Sequence, residues 1–168
     1  MPTPFYHVLE TVTLTSSASS VTFSSIDQSY ADLVYSFSTK AVESNGVMKM
    51  TVNNDTSTNV YDRVAMRGDG SSTGSISGGN TLLYFPFSDY GVSTTTFNSV
   101  KLEIMNYTST SQHKSMLMRF DSAEFTTQAT AVRYASTSAI TSIELYPHGF
   151  SNFAIGSTFT LYATTKAV

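Results

Sequence analysis

The chain has no cysteine, no tryptophan, only four prolines among 168 residues, and only 12% charged side chains. Without cysteine there is no disulfide, no thiol nucleophile and no thiolate-ligated zinc. A formal net charge of −3 leaves no basic stripe to hold phosphates, so nucleic acid is not an expected partner. No run approaches the about 18 apolar residues of a membrane-spanning helix. The opening MPTPFYHVLE has neither the basic nor the apolar stretch of a signal peptide. The expectation is a chain with no membrane partner, made in a cytoplasm. Helix signals are absent too: no dozen-residue window carries a capped apolar stripe at i, i+3, i+4, i+7.

What is present suits strands. Ser and Thr make up about three residues in ten, beside 11 Phe and 10 Tyr; Thr, Tyr and Phe favour strands, and Ser favours edges and turns. Period-two alternation recurs along the chain. Leu33, Tyr35 and Phe37 share one face against Val34, Ser36 and Ser38; Met48, Met50 and Val52 follow on one face. Over 99–107, Val100, Leu102 and Ile104 point inward if Lys101, Glu103 and Met105 point out, and a one-residue slip would bury two charges. Over 114–120, Met116, Met118 and Phe120 oppose Leu117 and Arg119, whereas 123–134 is less regular.

The runs 143–146 and 157–163, joined by a connector with Pro147, Gly149, Asn152 and Gly156, read as an antiparallel hairpin with a long loop. Asn45-Gly46 is a second hairpin signal. Residues 53–59, the Gly/Ser tract 68–79 and 89–96 read as loops, and Pro86 closes the apolar run 81–87. The expected architecture is all-β: an irregular arm over 1–5, then one antiparallel β-sandwich domain over 6–168, jelly-roll-like, with about ten short strands.

Motifs for chemistry are weak. Gly70-Ser71-Ser72-Thr73-Gly74 matches G-x-S-x-G, but the following Ser75-Ile76-Ser77-Gly78-Gly79 cannot supply the helix that a nucleophile elbow needs. Arg67-Gly68-Asp69 spells an adhesion tripeptide and is also an ordinary turn. His7, His113 and His148 lack metal-ligand spacing, and Asn53-Asn54-Asp55-Thr56 lacks the Gly and Glu of a calcium loop. Glu103 and Glu144 are a conceivable glycosidase pair if their strands are neighbours. Tyr84, Tyr90, Tyr107 and Tyr162 are candidates for stacking on sugars, with core or interface packing the favoured role. No catalytic residue, metal or cofactor is expected.

The strings FNSVKLEIMNYTSTSQHKS at 97–115, AITSIEL at 139–145 and GSTFTLYA at 156–163 resemble a group of tailed-phage virion structural proteins, especially from phages of cyanobacteria and other aquatic bacteria. SVTFSSIDQSYADLVYSFSTK at 20–40 and VNNDTSTNVYDRVAMRGDG at 52–70 are similar to that group's opening hairpins and loop. Two positions depart from its usual wording: Ala163, where Gly is usual, and Tyr134, in the area where an aromatic, often Trp, precedes AITSI. The resemblance implies a jelly-roll-like sandwich on the phage particle, on head or tail, and carries over no catalytic residue. The leading expectation is a capsid decoration or cement protein on the outer virion surface, bound to the major capsid protein as a homotrimer and assembled in the host cytoplasm. Its partner contacts are expected in the loops, at Asn54, Asp55, Arg67, Asp69 and Tyr90. The alternative is a tail-fibre or receptor-binding head, with a glycan as partner.

Overall fold

The computed structural model describes residues 5–43, 46–80, 83–85 and 91–166. Residues 1–4 of the expected arm, Asn45 of the hairpin signal, Pro86 and Tyr90 lie outside the described residues. Twelve strands and no helix occur among those described: β1 (Tyr6–Thr13), β2 (Val21–Phe23), β3 (Leu33–Thr39), β4 (Val47–Val52), β5 (Tyr61–Gly68), β6 (Thr73–Asn80), β7 (Leu83–Phe85), β8 (Asn98–Ile104), β9 (Lys114–Asp121), β10 (Thr127–Tyr134), β11 (Ile143–His148) and β12 (Thr158–Thr164). They form two antiparallel sheets, ordered β1-β12-β3-β8-β9-β10-β5-β6 and β2-β11-β4-β7. Set aside β1, β12 and the β9–β10 hairpin, and the remaining eight strands have double Greek-key connectivity. The small sheet runs first-eighth-third-sixth and the large sheet second-seventh-fourth-fifth. The expected jelly-roll sandwich is therefore what forms.

The alternation places the core. Val100, Leu102 and Ile104 are at most 1% exposed, while Lys101 and Glu103 pair on the outer side at 2.6 Å. Met116, Met118 and Phe120 point inward from β9. Opposite them, Met48, Met50, Ile143 and Leu145 of the small sheet are fully buried. The sheets meet ring to ring, with Phe23 of β2 edge-on to Tyr35 of β3 at 5.3 Å, an arrangement that matches positive ring edge to negative face.

Three expectations change. β11 and β12 are not a hairpin: β11 pairs with β2 and β4 in the small sheet, and β12 with β1 and β3 in the large one. The connector between them crosses the sandwich, turning at Gly149 and Gly156 (φ 88° and 84°). It is pinned by buried Phe153, which bridges both Ala18 and Ala41. Much of the Gly/Ser tract is strand β6, paired with β5 at all eight positions, because the 69–72 turn brings the chain straight back. β10 alternates strictly. Its inward positions Gln128 and Thr130 are polar, bonded to each other at 2.8 Å, which hides the period from a hydrophobicity reading.

Lys114 is wholly buried, and its ammonium donates to the carbonyls of Ser109 (2.7 Å), Gln112 (2.9 Å), Thr137 (3.2 Å) and Ser136 (3.5 Å). It joins the β8–β9 loop to the segment after β10 as an internal cation in a carbonyl cage. Lys114→Met leaves those carbonyls without their donor and is expected to cost about 3 kcal/mol; urea unfolding checks this, and an unchanged midpoint would refute the cage. Tyr35 is the opposite case, a fully buried hydroxyl with no hydrogen-bond partner among the described residues. Tyr35→Phe removes only that oxygen, so stability should rise by about 1 kcal/mol in the same assay. A fall would show that the hydroxyl is satisfied.

Candidate interaction face

The four expected site residues that are described do not converge. Asn54 and Asp55 lie in the turn after β4, where Asn53 and Asn54 hold φ near +54°. The Asn53 side chain bonds across to Ala139 O and Thr141 N, both at 2.8 Å. The Asp55 carboxylate accepts Ser57 N at 3.0 Å and the Tyr134 hydroxyl at 2.9 Å, while Asn54 is exposed. Arg67 and Asp69 sit at the far end of the β5–β10 ladder, which runs from the Tyr134–Tyr61 pair to the Thr127–Gly68 pair. At about 3.3 Å per residue, that separates the two loops by about 23 Å.

The Arg67-Gly68-Asp69 tripeptide is not presented as a ligand. Arg67 folds across Gly74 on the inner side of the sheet, and the Asp69 carboxylate accepts four hydrogen bonds from Ser71 and Ser72. The G-x-S-x-G string runs from that turn into β6 and meets no helix. Glu103 and Glu144 lie in different sheets, so they are not neighbours.

The three histidines are apart. His7 bonds the Thr165 hydroxyl at 3.0 Å, His113 lies in the β8–β9 loop, and His148 packs edge-on against Tyr84. Among the described residues no three His, Cys, Asp or Glu side chains group as metal ligands. Of the tyrosines, Tyr107 is buried and donates to Asp27 O, Tyr162 packs on Tyr6, and Tyr84 lies under Lys49 and Arg63. Burial beside that ring lowers the Arg63 guanidinium to about 10.

What the strands do assemble is a face. On the outer side of the large sheet, one transverse row reads Val64, Ala131, Leu117, Glu103 across β5, β10, β9 and β8, and the next reads Met66, Ala129, Arg119, Lys101. Val64, Met66 and Leu117 are 57%, 65% and 52% exposed, and both alanines between them are exposed. Charges border the apolar residues and enter the second row: Arg119 follows Ala129, Lys101 pairs with Glu103 on β8, and Arg133 Nε donates to Asp62 at 3.0 Å in the row beyond Val64. Shallow troughs flank the apolar rows, one lined by Met66, Thr73, Ser75 and Arg119, the other by Asp62, Val64, Ala131 and Arg133. A broad, open, apolar surface with a charged rim is suited to another protein surface rather than to enclosing a small molecule. Leu117 was its sequence signal, an apolar residue at an outward position of a clean alternation.

Five loop carboxyls, Asp27, Glu43, Asp55, Asp69 and Glu124, are held below their ordinary values, each chiefly by a serine side chain: Ser29, Ser151, Ser57, Ser72 and Ser93 respectively. Six of the 27 serines, these five and Ser71, thus tie down loop carboxylates. Such groups bind fewer protons folded than unfolded, so their contribution is complete above the unfolded carboxyl range near pH 4 and is lost as pH falls below it. The urea midpoint should fall steeply below about pH 4, after a smaller decline between about pH 7 and about pH 5, where burial holds the His148 imidazole below its ordinary value. A midpoint that rises on acidification would contradict these assignments.

Compared with known proteins, the chain matches no family model and no curated protein sequence.

Proposed function

We propose that the chain is a non-enzymatic structural protein of a tailed-phage particle, a decoration or cement protein that binds the major capsid protein on the outer shell. The observation that carries this is the exposed row of Val64, Ala131 and Leu117 beside Met66 and Ala129. The resemblance of the strand-and-turn strings to virion proteins supplies the identity of the partner. Burying a Val, Met or Leu side chain contributes about 1.5–3 kcal/mol each before the cost of association. A partner that covered the whole outer side of the large sheet, eight strands at about 4.8 Å spacing and about 20 Å long, would meet about 770 Å², the share that one partner brings to a standard interface, with the apolar rows on β5, β10 and β9 as one part of it. Contact of that size stabilises the assembled shell by mass action, because it binds the shell and not its separated subunits. Folding in the host cytoplasm without disulfides suits a particle assembled there.

Met66→Lys and Leu117→Lys put charge into the apolar rows at exposed positions, where the fold tolerates it. Each is expected to weaken capsid binding at least about tenfold with an unchanged circular dichroism spectrum. Particles stripped of the chain should open at lower temperature and regain resistance with the wild-type protein only. Lysine variants that bind as tightly, or a chain that fractionates with tails, would sink the proposal; the second result would favour the receptor-binding alternative.

A further inference from the structure

The two edges of the large sheet differ. β1 carries Glu10 and breaks register between Val8 and Glu10; a bulge and an edge charge are devices that keep an edge from pairing with another chain. β6, Thr73–Asn80, has neither. Its sequence TGSISGGN contains no charge and no proline, and its register with β5 is unbroken. Residues 75–79 are exposed on both faces of the sheet. Among the described residues its backbone bonds to β5 alone, so the outward row of amides and carbonyls has no partner there.

The glycines sharpen the contrast. Arg67 lies over Gly74 and Asp62 over Gly79, so those two make room for side chains of β5. A Cβ at Gly78 would meet nothing within 4 Å. Three glycines make β6 an intrinsically poor strand that one neighbour holds in place; pairing along its second edge would supply what its sequence does not.

We propose that β6 is a self-association edge, pairing antiparallel with the β6 of a second copy about a two-fold axis perpendicular to the sheet. A two-fold of that kind generates antiparallel pairing directly and sets uncharged residues opposite uncharged residues, so no like-charge opposition penalises the contact. A head-to-tail ring, including the trimer expected from sequence, would need the guarded β1 edge if it closed through these sheets. The axis leaves both outer faces on the same side and brings Val64 and Met66 of each copy to one strand from the junction. The pairing needs no capsid and goes beyond the proposed function; its failure would leave that reading standing.

Sedimentation equilibrium of the purified chain from about 1 to about 300 μM should show conversion to a mass twice the 18.2 kDa of one chain. The double variant Ser75→Lys, Ser77→Lys, which sets like charges across the junction, should remain monomeric with unchanged circular dichroism. Should that variant fail to fold, hydrogen exchange of the wild type decides, since amides of 73–80 should gain protection with concentration. A monomer throughout, a trimer, a dimer that survives the lysines, or concentration-independent exchange over 73–80 would overturn the proposal.

Discussion

An eight-stranded sheet packed on a four-stranded one leaves more inner surface than the smaller sheet can cover, and much of this molecule follows from that mismatch. The β9–β10 hairpin, inserted between β8 and β5, displaces β5 and β6 outward from the jelly-roll centre. Near the centre the inner positions are Leu102, Met118 and Phe159, all at most 1% exposed. Toward the displaced edge they become Gln128, Thr130, Arg63 and Arg67. Gln128 and Thr130 are still buried and bond each other, while Arg63 and Arg67 on β5 are half-buried with their stems along the sheet. Among the described residues β6, the outermost strand, is covered only where Arg67 lies over Gly74 and Asp62 over Gly79.

Loops are tied rather than presented. Glu43 reaches Ser151, Glu124 reaches Ser93 and Thr95, Asn53 reaches Ala139 and Thr141, and Lys114 gathers four carbonyls. Each contact consumes a polar group that could otherwise face a ligand. The proposed contacts accordingly use the sheet: the outer apolar rows and the bare β6 edge. A rigid slab suits that role, because a preorganised face loses little side-chain and backbone freedom on docking.

The strand content, the inward and outward residues of β3, β8 and β9, and the sandwich class were legible in the sequence. Side chains alternate across a strand irrespective of what the strand pairs with, so alternation survives without tertiary information. Even the exposed Leu117 was visible as an apolar residue on the polar side of its strand. The role of β6 was not, since TGSISGGN has the composition of a loop and becomes a strand only through β5.

Period and composition thus determined which residues face a core and excluded thiol chemistry outright. Pairing decided the rest. Which sheet receives β11 and which receives β12, how far Asp55 stands from Asp69, and whether Val64, Ala131 and Leu117 form one row all depend on register between segments remote in sequence. A local pattern carries no record of such partners, because the hydrogen-bonding groups that choose them are the same in every residue but proline.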